Sequence, residues 1–159
     1  MLSRILIATA AVALVCGAPH ARAQSLATAR DVAAIRSCAE KYADNVNEAE
    51  QRCIFAVFAD PCTKQRGQSS QRAIACYRAE QDIWDDLLNQ NLHTLDDGLD
   101  AAQKPKLAEM QRAWLADRNA TCQFYADKAQ GSMATEMTAA CLARETARRA
   151  LLLRFFRGL

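Results

Sequence analysis

The sequence predicts an all-α protein, a small disulfide-stapled bundle of four to six helices arranged as antiparallel hairpins. Three observations predict it. Apolar residues recur at three- and four-residue steps through several long stretches, the spacing of one helical face. Nowhere do four or more residues alternate among β-branched and aromatic types, as a half-buried strand would require. Six of the seven cysteines form three pairs, each centred on a break in the helical pattern.

The first residues read as a signal peptide spanning 1–23. Arg4 is the positive start, Ile5 to Val15 the apolar run, and Ala21-Arg22-Ala23 a small-x-small cleavage site. The apolar run is too short for an ordinary membrane-spanning helix. Cys16 is preceded by Val15, where lipoprotein processing wants a small residue, so lipidation is not expected. Cleavage after Ala23 leaves one helical domain over 24–159, in the periplasm or secreted. It also removes two arginines and no acid, leaving 18 basic against 18 acidic side chains. A chain without net charge has no global field to draw it to nucleic acid.

The elements follow in order. A first helix is expected from near Ser25, with Ala27, Ala34, Ile35, Cys38 and Tyr42 as its apolar stripe. Asp44-Asn45-Val46-Asn47 interrupts it, with Asn47 as the expected cap of a second helix carrying Cys53, Ile54, Val57 and Phe58. That helix should stop at Asp60-Pro61, since a residue before proline resists helical geometry. Cys62 to Ser70 is loop chemistry. A long helix runs from about Ser70 to Leu95, burying Ile74, Tyr77, Trp84, Leu88, Leu92 and Leu95, and Asp97-Gly98 signals its end. Pro105 suits the first turn of a helix ending near Ala129. The last helix runs from Met133 to about Phe156, after the Gln130-Gly131-Ser132 break.

Those breaks select the disulfides from fifteen pairings of six cysteines. The midpoint of Cys38 and Cys53 is Asn45-Val46, that of Cys62 and Cys76 is Ser69, and that of Cys122 and Cys141 lies between Gly131 and Ser132. On an unbroken helix Cys38 and Cys53 would stand roughly 22 Å apart, against a bridgeable Cα separation of about 5.5 Å. The expected framework is 38–53, 62–76 and 122–141. Metal ligation is the rival reading, but no C-x-x-C spacing occurs and His93 is the only histidine past the leader. No metal or other cofactor is expected.

Catalytic signatures are missing from the sequence. Asp85 and Asp86 are adjacent and diverge by about 100° on a helix, so they do not form a glycosidase pair. His93 has no nucleophile-elbow motif beside it, and no glycine-rich phosphate loop occurs. Asn119-Ala120-Thr121 matches a glycosylation acceptor but falls mid-helix. Trp114 and Arg118 share one helical face with Gln111 and Cys122, which puts a guanidinium against the interior. Glu80 or Asp85 is its expected partner, as a buried network that sets helix register.

At these residues the chain resembles a known family. The run Gln111-Arg112-Ala113-Trp114-Leu115, with Arg118, Cys122, Gly131-Ser132, Cys141-Leu142, Thr146 and Arg149, is similar to the LprI-like family of bacterial envelope proteins. Cys76, Glu80, Asp85 and Leu88-Asn89 extend the likeness upstream, so that it covers roughly residues 62 to 152. Cys38 and Cys53 lie outside this pattern, and a position often tyrosine is Leu92 or His93 here. The family is named for a lysozyme inhibitor. The resemblance therefore implies an exported, non-catalytic, protein-binding domain that inhibits lysozyme by occluding its cleft. Gly131-Ser132 or the Lys64-Arg66 loop would enter the cleft, and acidic Asp96, Asp97 and Asp100 would steer a basic enzyme. A reading from another class is a structural envelope module. Its basic, apolar C-terminal helix, from Arg148 to Arg157, would contact a membrane or a partner.

Overall fold

In a computed structural model, residues 26–65 and 69–159 are described. They form six helices and, among the described residues, no strand. These are α1 (Ala29–Lys41), α2 (Val46–Cys53), α3 (Ala59–Thr63), α4 (Ser70–Gly98), α5 (Lys104–Lys128) and α6 (Gly131–Phe156). The expected leader, its cleavage site and part of the Lys64-Arg66 loop lie outside the described residues.

Helix α6 is the axis of the fold. It packs chiefly along α4 and then along α5, while α2 rests on it and α1 and α3 close over α4. A helix covered on several sides cannot be amphipathic. Accordingly α6 buries Ala139, Cys141, Ala143, Thr146, Ala147, Ala150, Leu151 and Leu153 around its circumference. The run of alanines lets neighbouring backbones approach closely. The C-terminal cations are engaged internally: Arg148 pairs with Glu50 and Glu145, Arg154 with Glu40, and Arg157 donates to Asn91. Asn91, itself buried, donates to the Ala150 carbonyl at 3.0 Å and so ties α4 to α6. None of the described helices is long and apolar enough to cross a membrane.

Three short connections differ from the sequence expectations, each for a local reason. Helix α1 starts at Ala29, four residues past Ser25. Thr28 and Asp31 form a reciprocal cap in which each side chain accepts from the other's backbone N–H, and the Thr28 hydroxyl and then its backbone N–H, both donating to Asp31 Oδ2, hold that carboxyl below its ordinary value. Ala34, one of the expected stripe residues, is exposed. Asn45, not Asn47, caps α2, its Oδ1 accepting from Glu48 N at 3.1 Å. Pro61 does not end a helix: α2 already stops at Cys53, leaving Ile54, Val57 and Phe58 in the turn beyond it, and Pro61 sits with Cys62 inside α3, at the third position, where its missing N–H would have had no intrahelical carbonyl.

Between α2 and α3 the chain makes an unusual turn, with Phe55 at φ 65°. That conformation disfavours a bulky side chain. Glu80 of α4 holds it. Its Oε1 accepts from Phe55 N at 2.7 Å and from Trp84 Nε1 at 3.0 Å, and its Oε2 accepts from Ala59 N at 2.8 Å. The Phe55 ring packs edge-on against Tyr77, with centroids 5.2 Å apart. Glu80 and Trp84 are both fully buried.

The disulfides join Cys38 to Cys53, Cys62 to Cys76 and Cys122 to Cys141, with Cα separations of 5.7, 5.9 and 5.5 Å. These are the pairs centred on the three breaks. The first joins α1 to α2, the second α3 to α4, and the third α5 to α6.

Candidate functional site

Most residues singled out in the sequence converge on the antiparallel hairpin of α5 and α6. Ala129 and Gln130 are extended, and Gly131, at φ +63°, is the first residue of α6, which so begins two residues before the expected Met133. A Cβ at Gly131 would meet nothing within 4 Å, so the left-handed backbone, not space, is what asks for glycine there. Ser132 beside it is exposed. Around this end the surface is apolar. Phe124 is 59 % exposed, Met133 63 % and Met137 37 %, and the Lys128 ammonium sits 5.8 Å from the Phe124 ring centroid. Phe124 and Met137 share a groove with Ala120, Thr121, Tyr125 and Lys128. The sequence reading missed these three residues. Their signal was available: Phe124 lies off the Trp114–Arg118–Cys122 face, and Met133 and Met137 are one turn apart.

Further along the hairpin, Trp114 carries two guanidinium groups. The Arg118 Cζ lies 5.0 Å from its ring centroid and the Arg149 Cζ 5.6 Å. Arg118 Nη1 donates to Thr146 Oγ1 at 3.2 Å, and its Nε and Nη2 donate to Asn119 Oδ1. Arg149 Nε donates to Gln111 Oε1. The hairpin thus gathers Gln111, Trp114, Arg118, Thr146 and Arg149 in one cluster. It does not bring Arg118 to a carboxylate. The expected partner Glu80 is occupied at the α2–α3 turn, and Asp85 is exposed and accepts from Asn89 Nδ2 at 3.2 Å. The reason is topological. Helix α6 lies between α4 and α5, so α5 faces α6 and not the acids of α4.

The acidic stretch proves to be largely engaged. Asp96 Oδ2 is 3.1 Å from Lys104 Nζ, and Asp97 Oδ2 is 3.2 Å from His93 Nδ1. Asp100 builds the α4–α5 turn: its Oδ1 accepts from Ala102 N and Gln103 N, both at 2.8 Å, while Gln103 Oε1 accepts from Asp100 N. Replacing Asp100 by Ala should lower stability by about 1 kcal/mol, as loss of a comparable cap does, in urea unfolding. An unchanged midpoint would show that Pro105 and packing suffice. Among the described residues, no group of His, Cys, Asp and Glu is arranged to hold a metal ion.

Comparison with known proteins decides the family. Residues 62–153, more than half of the chain, match the family described as "Lysozyme inhibitor LprI". The chain belongs to the lysozyme inhibitor LprI family. No curated protein and no solved structure matches it. The matched stretch opens at Cys62 and ends at Leu153, so it takes in α4, α5 and nearly all of α6. It leaves out α1 and α2 with their disulfide. An LprI domain stapled by disulfides points to an extracytoplasmic protein, because such bonds persist only in oxidising compartments.

Proposed function

We propose that this LprI protein is an exported, non-catalytic protein that binds a lysozyme and inhibits it by covering its cleft. It would dock through the open end of the α5–α6 hairpin. The observation that carries the docking site is the exposed trio Phe124, Met133 and Met137 beside the Gly131 turn. Three large apolar side chains gathered at one end of the hairpin are unfavourable in water and suit a partner surface. Methionine adapts its shape to such a surface, and an aromatic anchor is a frequent centre of binding energy. On this reading residues 1–23 are a signal peptide cleaved after Ala23, and the protein acts in the periplasm or outside the cell. The C-terminal helix is given no membrane role on this reading, which its internal bonds support: Leu151 and Leu153 are buried, and Arg148, Arg154 and Arg157 bond Glu50, Glu40 and Asn91.

The test is titration of the purified, oxidised protein into a lysozyme turbidity assay, paired with binding measurements. The variant Phe124→Ser combined with Met133→Ser should weaken binding at least tenfold, equivalent to about 1.4 kcal/mol. Its circular dichroism and melting temperature should hold, because both side chains are exposed in the parent. Parent-like inhibition by this variant would place the contact surface elsewhere. No binding of the parent to any lysozyme at micromolar concentration would overturn the inhibitor reading itself.

A further inference from the structure

The Trp114 cluster contains two arginines without counter-charge. Arg52, Arg144, Arg148 and Arg154 each pair with a glutamate, whereas no Asp or Glu lies within ion-pair distance of Arg118 or Arg149. All 18 acidic side chains of the chain fall in the described residues, so no other part of the sequence can supply one. The acceptors the two arginines do have, Thr146, Asn119 and Gln111, are neutral. A guanidinium has five N–H groups, and Arg149 is 6 % exposed with its Nη2 buried and unpartnered. Burial without compensation pulls its pKa down. An uncompensated buried cation is costly.

We propose that Arg118, which shares the Trp114 ring with Arg149, binds a carboxylate presented by the bound enzyme. This rests on the lysozyme-binding reading and names the second contact that reading needs. Arg118 is half-buried with exposed Leu115 and Asn119 alongside, so an incoming side chain reaches it without unfolding the hairpin. The planar fork of arginine matches a carboxylate with two parallel N–H···O bonds. The indole holds both guanidiniums by cation–π attraction and keeps them preorganised. The distance suits one footprint: Arg118 precedes the end of α5 at Lys128 by ten residues, roughly 15 Å along the helix. An interface of ordinary size, about 800 Å² per partner, spans that and the apolar trio together. A lysozyme cleft carries two carboxylates, which gives the arginine a target whose occupation would block catalysis.

The experiment is a double-mutant cycle by calorimetry, using the oxidised protein. Arg118→Gln should weaken lysozyme binding 10- to 100-fold with helicity unchanged, and Arg118→Lys should recover part of the loss. Against a lysozyme whose cleft acid is changed to its amide, Arg118→Gln should have little further effect. Parent-like binding by Arg118→Gln, or an equal loss against each amide variant, overturns the proposal. If the parent binds no lysozyme, the inhibitor reading fails separately, and the site is judged alone by NMR of the Trp114 indole N–H. A saturable shift with N-acetylaspartate amide, absent from Arg118→Gln, upholds a carboxylate site. No shift, or a response to inorganic phosphate alone, overturns it.

Discussion

Replacing Glu80 by Gln should cost about 2–4 kcal/mol of stability near pH 5. The carboxylate accepts three N–H groups, from Phe55, Ala59 and Trp84, and it is fully buried. An amide turns one of those oxygens into a donor, which would then face a backbone N–H or the indole N–H. The Phe55 turn, at φ 65°, would lose what holds it. The penalty should also depend on pH. Burial raises the Glu80 carboxyl above the ordinary 4.5, while the three N–H donors pull it back. A carboxyl raised in the folded state contributes stability that is complete below its unfolded value and fades as pH rises through its folded value. The gap between parent and Glu80→Gln should therefore be widest near pH 4 and narrow toward neutrality, in urea unfolding across that range. A constant gap would contradict the titration argument, and no gap at all would contradict the role of Glu80 as the pin of the turn.

The paired change Cys122→Ala with Cys141→Ala should cost about 3 kcal/mol, the loop-closure entropy released over a separation of 19 residues. On the proposed inhibitor reading it should also weaken lysozyme binding, because this bridge is the covalent tie nearest the Gly131 end, where that reading places the docking residues Phe124 and Met133. Changing Cys38 and Cys53 together, with a separation of 15, should lower stability to a similar degree. Normalised to folded protein, that variant should bind as the parent does, since α1 and α2 lie outside the proposed contact surface. Equal binding losses in the two variants would mean that the hairpin end is not the docking element. A stability loss below 1 kcal/mol for the Cys122 and Cys141 pair would mean that Arg118–Thr146 and Arg149–Gln111 hold the hairpin without it.

The long helices and the cysteine pairs were legible because both depend on distance along the chain. A 3.6-residue period, a turn residue and a cysteine on either side of it are local facts. They remain true in whatever fold the chain adopts. Family membership was legible for a related reason, since Gln111, Trp114, Arg118, Thr146 and Arg149 recur at spacings set by two helices facing each other. Even the short elements left local traces: Thr28 and Asp31 spell a capping box, and Asn45 is as good a cap as the Asn47 two residues later. Competition between adjacent caps is settled by which start lets Ala49 and Cys53 face inward.

Partnership between side chains was another matter. Arg118 and Glu80 both read as interior charges, and pairing them satisfied both on paper. Only the order of packing, with α6 between α4 and α5, separates them, and that order is decided by the small-residue surface of α6 as a whole. Glu80 then finds backbone N–H groups at a turn whose left-handed Phe55 no propensity would suggest. Arg118 finds Trp114 and Thr146, leaving positive charge unanswered. The sequence by itself determined that the chain is helical, which cysteines meet, and to which family it belongs. The tertiary structure alone decided which charges are neutralised within the chain and which are not, because that balance depends on contacts between residues far apart in the sequence.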